Sequence, residues 1–257
     1  MAQVKAIIFD GGGTIWDSLP ILYRTYQAAY REAGLGELPL DAATCHRLRG
    51  LPSFNREAGF AAALLAIRTA GNDPAAILAG GDPDTQLREM VARSRAADPR
   101  FDLRVAHLES LLLDHLYNRT DDSSYPLCHG AQDSLRQLKE RGLRLCLVSN
   151  RRRASMLRIL QAHSLADLFD VVIALEDQSR PKPGPEGPQQ VLQQLGLPPR
   201  ECVFVGDSAV DILCGRAMDL CCIGVLSGMA DERTLHSVGA YRTIRSLAEL
   251  PGLLDRL

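Results

Sequence analysis

The chain has 257 residues, with 29 basic and 31 acidic side chains and a formal net charge of −2. This length allows one large α/β domain, or a domain of about 150 residues with a smaller companion. The near balance of charge argues against nucleic-acid binding as the main function. The longest apolar stretch, Phe60–Ile67, is too short to span a bilayer. We therefore expect a globular protein with no nucleic-acid partner and no membrane partner.

The start of the chain and the cysteines both indicate a cytoplasmic location. The chain enters an apolar run at Val4 without the charged start, long apolar centre and cleavage site of a signal peptide. The seven cysteines are scattered and show no metal-ligand spacing. We expect them to be reduced and mostly buried, as is usual in the cytoplasm.

The elements in chain order predict an α/β core that is interrupted once. The first strand is predicted at Val4–Phe9, and the following residues 16–124 show helical patterns but no convincing strand. From residue 125 onward, apolar runs alternate with helical patterns, which is typical of a parallel sheet covered by helices on both faces. The helical patterns of the interruption are Ile21–Ala33, Phe60–Thr69, Asp84–Ala97 and Leu103–Tyr117. The later elements are Ala131–Arg141, Leu143–Val148, Arg152–His163, Val171–Leu175, Glu186–Leu195, Cys202–Val205, Ala209–Met218 and Cys221–Val225, in which the second, fourth, sixth and eighth are strands.

This order predicts a fold class and a domain organisation. Residues 1–15 and 125–257 would form a doubly wound, Rossmann-like parallel sheet with its helices. Residues 16–124 would form an all-helical domain inserted after the first strand.

Polar residues follow the predicted strands at the edge where parallel sheets bind their ligands. Asp10 follows the first strand, Ser149-Asn150 the second and Asp207 the fourth, and Lys182 lies in a loop between two prolines. Lys182 is one of only three lysines in the chain, the other basic residues being arginines. Two carboxylates, a hydroxyl and an ammonium suit a hard cation bound by oxygens beside a phosphate.

The order of these motifs resembles the haloacid dehalogenase superfamily and, within it, the phosphoglycolate-phosphatase-like branch with a helical cap. The resemblance implies a Mg²⁺-dependent hydrolase of a small phosphorylated metabolite, active as a monomer or homodimer. The matching motifs are Ile7-Ile8-Phe9-Asp10, Thr14, Asp17-Ser18, Val148-Ser149-Asn150, Lys182-Pro183-Gly184-Pro185, and Val205-Gly206-Asp207-Ser208 with Asp211.

The resemblance also implies a role for each residue. Asp10 would be the nucleophile and form an aspartyl-phosphate, a form of covalent catalysis. Ser149 would hydrogen-bond the phosphoryl group, and Lys182 would neutralise it and hold Asp10. Substrate binding would involve Ser149, Asn150, Lys182 and Thr14. The magnesium ion would be held by Asp10, Asp207 and the backbone carbonyl of Gly12, with Asp211 in a supporting role.

Gly12 departs from the pattern of the phosphatases, which carry a second Asp two residues after the nucleophile. That Asp protonates the leaving group and later activates water, and such a group contributes about 10²–10⁴-fold to the rate. An alternative reading is therefore a catalytically impaired protein that binds phosphate and metal.

Two other activities of the superfamily also lack this Asp. Phosphonoacetaldehyde hydrolases use a cap lysine, but this chain has no Lys between Lys5 and Lys139. Haloacid dehalogenases carry an aromatic residue at the position of Gly12 and lack the acidic motif of Asp207 and Asp211. The sequence therefore argues against both activities.

Arginines offer candidate phosphate or carboxylate ligands outside these motifs. His46, Arg47 and Arg49 lie where relatives place a substrate loop, although a solvated helix face is the simpler explanation for any one of them. The triplet Arg151-Arg152-Arg153 is interpreted as the start of a helix with solvated side chains.

Overall fold

A computed structural model describes residues 3–256, and its centre is a six-stranded sheet. All neighbouring strands pair in parallel, in the order β3-β2-β1-β4-β5-β6. The strands are β1 Ala6–Phe9, β2 Arg144–Val148, β3 Val171–Ile173, β4 Cys202–Gly206, β5 Cys221–Val225 and β6 Arg242–Ile244.

Twelve α-helices occur within residues 3–256. They are α1 Leu19–Glu32, α2 Ala42–Arg49, α3 Glu57–Ala70, α4 Pro74–Ala79, α5 Pro83–Ala97, α6 Phe101–Asp114, α7 Ala131–Glu140, α8 Arg153–Ala162, α9 Glu186–Leu195, α10 Ala209–Arg216, α11 Glu232–Ser237 and α12 Leu250–Leu254.

The predicted fold class is confirmed, and the five predicted strands are all present with ends shifted by at most two residues. The prediction missed β6, because this edge strand has only three residues and its first, Arg242, is exposed. It also missed four helices of five to eight residues, α2, α4, α11 and α12, which are too short for a clear apolar period.

The chain divides into two compact units. One comprises Met1–Ser18 with Asp121–Leu257 and contains the whole sheet, and the other is Leu19–Thr120 and contains α1 to α6. Every described element of the second unit is helical, which agrees in character with the predicted insertion. That residues 16–124 act as a cap domain stays a prediction.

Strand β1 explains why the sheet is doubly wound. All four of its residues are fully buried, so both faces of the strand are covered, as the continuous apolar run predicts. The next strands in sequence, β2 and β3, lie on one side of β1, and β4 to β6 lie on the other. The strand order therefore reverses between β1 and β4, and such a switch point is where open α/β sheets place a ligand crevice.

The seven cysteines agree with the expected reduced state. All seven are free thiols, and six of them are buried. Burial raises the pKa of the Cys146, Cys214 and Cys222 thiols to about 12, so these groups stay protonated at neutral pH. Between residues 3 and 256, no helix combines the length and apolar character needed to cross a membrane.

Candidate active site

The register of the sheet brings three predicted site residues to one edge. Phe9 of β1 pairs with Leu147 of β2 and with Val205 of β4, so the three strands end level with one another. The backbone N–H of Asp10 extends the ladder by donating to the carbonyl of Val205 at 2.8 Å. Asp10, Ser149 and Asp207 therefore follow neighbouring strands at the switch point.

Lys182 joins two carboxylates at this edge. Its ammonium is 3% exposed, contacts Asp10 Oδ1 directly and donates to Asp211 Oδ1 at 2.6 Å. Burial opposes the charge of Lys182, but the charges of Asp10 and Asp211 outweigh it and raise the pKa of Lys182 above its ordinary value. The side chain is therefore a fixed positive charge against the proposed nucleophile.

The loop that carries Lys182 is held by side chains from two elements. The Asn150 amide accepts from the backbone N–H of Lys182 at 3.0 Å and donates to its carbonyl at 2.9 Å. Glu186, at the start of α9, accepts from the backbone N–H groups of Ser179 and Arg180 at 3.1 and 2.9 Å. Asn150, predicted from the sequence as a substrate ligand, thus orients the lysine loop in this structure.

The carboxylates of Asp10, Asp207 and Asp211 form a buried cluster. One oxygen of each lies within 4.8 Å of the other two, and all three residues are buried. Burial is the main cause that raises the pKa of Asp10 to about 6, against the lowering effect of Lys182. Burial also raises the pKa of Asp207 well above its ordinary value, with the charge of Asp211 as the next cause.

This donor set fits a hard divalent cation. Three carboxylates face a single ammonium, so the cluster holds more negative than positive charge in a place shielded from water. Hard cations such as magnesium prefer oxygen ligands, and a cation placed here would relieve the cost of burying ionised carboxylates.

The loop after β5 supports Asp207 in a way that the sequence prediction missed. The backbone N–H of Met229 donates to Asp207 Oδ2 at 2.7 Å, and that of Ala230 donates to the Asp207 carbonyl at 3.1 Å. A Cβ atom at Gly228 or at Gly13 would overlap the Asp207 carboxylate, and Gly13 also has a φ of +83°. Both glycines are therefore needed for close packing around Asp207, and Gly228 was the available sequence signal.

Asp211 forms hydrogen bonds both with Lys182 and at the start of its own helix, α10. Its Oδ2 accepts from the Ser208 hydroxyl at 2.6 Å and from the Ser208 backbone N–H at 3.1 Å, which closes a capping box at the start of α10. Its other oxygen accepts from Lys182. Both oxygens of Asp211 are therefore engaged, and its supporting role at the site stays a prediction.

Ser149 and Thr14 are both buried near the ends of the strands they follow. Ser149 is 4% exposed, and its hydroxyl oxygen accepts from the backbone N–H of Arg151 at 3.2 Å, which leaves the hydroxyl hydrogen available for a ligand. The Thr14 hydroxyl is fully buried and has no hydrogen-bond partner within the described residues. An orphaned buried hydroxyl is a group that a ligand can satisfy.

Space around Gly12 is bounded by two polar groups. A Cβ atom on this residue would lie 3.1 Å from Ser18 Oγ and 3.5 Å from Trp16 Nε1. The Trp16 ring packs against Gly11, where a Cβ atom would overlap the ring. The position that holds the acid–base Asp in phosphatases therefore faces a hydroxyl and an indole N–H.

Two arginines differ from the sequence predictions in their burial and contacts. Arg49 is buried and donates to Tyr26 Oη at 2.9 Å, to the Phe54 carbonyl at 3.0 Å and to Glu57 at 2.6 Å, so its guanidinium is used within the helical unit. Arg151 is 9% exposed and contacts Asp122 at 2.9 Å, so its interpretation as a solvated side chain was wrong. In both cases the arginine is mostly buried because it binds a buried residue that is distant in sequence. The local sequence pattern does not contain that partner, so the burial could not be predicted from it.

We predict that Asp10→Asn stabilises the metal-free protein. A carboxyl with a raised pKa binds more protons folded than unfolded, so stability falls as pH rises from 3.8 to about 6 and stays reduced above that. Removing the charge should recover up to about 3 kcal/mol at pH 7.5. It should also make the fall over this interval smaller, although the raised pKa of Asp207 still contributes to that fall. Thermal unfolding in EDTA at pH 4 to 8 measures both effects.

Magnesium provides the matching control. Saturating Mg²⁺ should raise the Tm of the native chain and raise that of Asp10→Asn much less, because binding to the folded state alone is stabilising. A lower Tm for Asp10→Asn in EDTA at pH 7.5 would contradict the prediction.

Comparisons with known proteins agree with the fold. The profile of the family described as haloacid dehalogenase-like hydrolase matches residues 4–219. A phosphoglycolate phosphatase of Nitrosospira multiformis is 26% identical over 256 residues, covering 98% of this chain and 96% of the relative. The pyrophosphatase PpaX of Bacillus pumilus is 37% identical over 103 residues, covering 40% of this chain and 48% of the relative. The crystal structure of a hydrolase from Pseudomonas syringae has the same fold, with a TM-score of 0.68 at 21% identity over 98% of this chain and 99% of the other.

Proposed function

Because the chain belongs to the haloacid dehalogenase-like hydrolase family, we propose that it is a Mg²⁺-dependent phosphohydrolase of a small phosphorylated molecule. The observation that carries this proposal is the pairing of the buried Asp10 carboxylate with the Lys182 ammonium beside Asp207. The names of the relatives, phosphoglycolate phosphatase and pyrophosphatase, support a phosphate substrate. The cytoplasmic location and the monomer or homodimer stay predictions.

Asp10, Asp207 and the backbone carbonyl of Gly12 would hold the magnesium ion. When bound, the ion supplies positive charge to the phosphoryl oxygens and so stabilises charge in the transition state. Lys182 adds a second positive charge from the side of Asp10 and Asp211.

In the first step, Asp10 attacks the phosphorus in line with the leaving group. A bond forms between a carboxylate oxygen of Asp10 and phosphorus, the bond from phosphorus to the leaving oxygen breaks, and an aspartyl-phosphate results. Lys182 holds the attacking carboxylate in place through its direct contact with Asp10 Oδ1. The hydroxyls of Ser149 and Thr14 would donate hydrogen bonds to phosphoryl oxygens, because the hydrogen of each hydroxyl is available for a ligand.

In the second step, water attacks the phosphorus of the aspartyl-phosphate. The bond between phosphorus and the Asp10 oxygen breaks, inorganic phosphate leaves, and the proton of the attacking water passes to phosphate or solvent. Lys182 remains paired with Asp211 throughout and again neutralises Asp10 as its carboxylate is released.

We expect Asp10→Asn to abolish turnover. An amide oxygen is a poor nucleophile, so hydrolysis of acetyl phosphate and p-nitrophenyl phosphate with Mg²⁺ should fall at least a thousandfold, to the background rate. Phosphate release measures the rate, and Asp133→Asn, an exposed carboxylate in the first turn of α7, is the matched control. Turnover that persists in Asp10→Asn would rule out the aspartyl-phosphate route.

A second candidate, favoured by Gly12, is a protein of the same fold that binds phosphate and metal without efficient turnover. Its signature would be saturable binding of inorganic phosphate by calorimetry in the absence of any Asp10-dependent hydrolysis. Turnover of acetyl phosphate at several per second or faster would exclude it.

A further inference from the structure

The indole of Trp16 is a buried polar group beside the missing acid–base position. Trp16 is 1% exposed, and its Nε1–H has no hydrogen-bond partner within the described residues. The nitrogen lies 3.5 Å from where a Cβ atom of residue 12 would be. An unpaired buried donor costs free energy, so a partner for this N–H is expected in the functional state.

The local packing fixes the indole in this place. Its ring fits only because residue 11 is a glycine, since a Cβ atom there would overlap two atoms of the ring. The backbone of Trp16 is also bound, because its carbonyl accepts from Gly13 N–H at 2.7 Å and its N–H donates to the Gly11 carbonyl at 3.1 Å. Gly11 and Trp16 therefore form a complementary pair that keeps the indole N–H beside Gly12.

We propose that the Trp16 indole N–H donates a hydrogen bond to the leaving-group oxygen, and that the enzyme acts on acyl phosphates and phosphoanhydrides rather than alkyl phosphomonoesters. This rests on the proposed function, because it assumes attack by Asp10. An indole is a donor only, so Trp16 stabilises negative charge on the leaving oxygen but does not hand over its proton.

The chemistry of the first step then selects the substrate. As the bond from Asp10 to phosphorus forms, the electron pair of the breaking bond stays on the leaving oxygen. In an acyl phosphate or a phosphoanhydride this oxygen leaves as a carboxylate or a phosphate, which needs no proton. In an alkyl ester it would leave as an alkoxide, which needs the general acid that Gly12 lacks.

The first test observes the indole directly. Trp16 is the only tryptophan, so the ¹H–¹⁵N correlation spectrum of the full chain contains a single indole resonance. Inorganic phosphate is the probe, because the phosphate oxygen opposite Asp10 takes the place of the leaving oxygen. With Mg²⁺ present, phosphate should move the indole proton downfield in a saturable way, and sodium chloride at equal ionic strength should not.

The backbone amides of Gly11 and Gly13 report binding in the same spectrum. If they shift with phosphate while the indole does not, phosphate binds but Trp16 is not its partner, and the inference is overturned. If no resonance shifts, both the inference and the proposed function fail. This readout does not depend on turnover.

The second test measures how the rate depends on the leaving group. We expect kcat/KM to fall steeply from acetyl phosphate and pyrophosphate through phenyl phosphates to glycerol 2-phosphate. Trp16→Phe should lower kcat/KM for acetyl phosphate about tenfold to a hundredfold, as expected for losing a hydrogen bond to a charged oxygen. Ile15→Val, which removes a buried methylene but no donor, is the matched control and should retain the native rate.

A flat dependence on the leaving group, with glycerol 2-phosphate as good a substrate as acetyl phosphate, would overturn the substrate class. Equal kcat/KM values for Trp16→Phe and Ile15→Val would overturn the role of the indole. In either case Asp10-dependent turnover would leave the proposed function intact, so the two failures are distinguishable.

Discussion

Replacing Gly12 with Asp is expected to raise kcat for alkyl phosphomonoesters such as glycerol 2-phosphate by about 10²–10⁴-fold. The new carboxyl would occupy the position from which phosphatases protonate the leaving oxygen and then activate water. Acetyl phosphate should gain far less, because its leaving group departs without a proton. Steady-state phosphate release with the two substrates measures the difference.

The backbone at Gly12 can accept a Cβ atom with little adjustment. Gly12 does not have the positive φ that would strain an Asp, and only Ser18 Oγ, at 3.1 Å from the new Cβ atom, would have to give by a few tenths of an ångström. The Ser18 hydroxyl and the Trp16 N–H are both donors that can hold a carboxylate. We therefore expect Gly12→Asp to fold and to place a carboxyl beside these two donors.

Gly12→Asn separates proton transfer from simple filling of space. The amide has nearly the same size and hydrogen-bonding reach but cannot exchange a proton at neutral pH, so alkyl phosphate turnover should stay at the native level. If Gly12→Asp leaves alkyl phosphate turnover unchanged or lowers it, the native chain has another proton donor or catalyses a different reaction.

The elements around the switch point could be predicted because each has a local cause. A strand buried on both faces needs a continuous apolar run, as in Ala6–Phe9, and a ligand edge needs polar residues directly after it. Lys182 could be predicted as a site residue for a different reason, because it is a rare lysine between prolines. In the structure it is buried and contacts Asp10 and Asp211.

Groups that depend on tertiary pairing could not be predicted in the same way. The Met229 N–H that donates to Asp207 is a backbone group, so the pattern of side chains in the sequence does not predict this contact. The fit of Trp16 against Gly11 depends on a turn that brings the indole back over a residue five positions earlier. Each required the chain to be folded before the partners could be identified.

The burial of Asp122 also depends on tertiary pairing and could not be predicted from the sequence. Its substitution is expected to have the largest effect on stability. The stretch Asp121-Asp122-Ser123-Ser124 looks like a polar loop, yet Asp122 is 4% exposed and Asp121 is exposed. Asp122 Oδ1 accepts from Arg151 at 2.9 Å and from the Ser155 hydroxyl at 2.6 Å, while its Oδ2 accepts from Arg158 Nε at 2.8 Å.

We predict that Asp122→Ala destabilises the fold by about 3–5 kcal/mol, because it removes a buried charge partner of Arg151. For a chain of this size the Tm should fall by roughly 10 °C, since each kcal/mol corresponds to about 2–4 °C. Thermal unfolding measures the shift. Asp121→Ala is the matched control: its carboxylate is exposed and accepts from the backbone N–H and hydroxyl of Ser123, so its loss should lower the Tm far less than the loss of Asp122.

The position of Arg151 also links this network to the active site. Its backbone N–H donates to Ser149 Oγ at 3.2 Å, and its guanidinium lies 4.5 Å from the centre of the Tyr125 ring and donates to Tyr125 Oη at 2.9 Å. Asp122→Asn keeps one acceptor oxygen but removes the charge and the second acceptor, so it should fall between the native chain and Asp122→Ala in stability. If the Tm values of Asp122→Ala and Asp121→Ala agree within 2 °C, the buried charge network does not stabilise the fold.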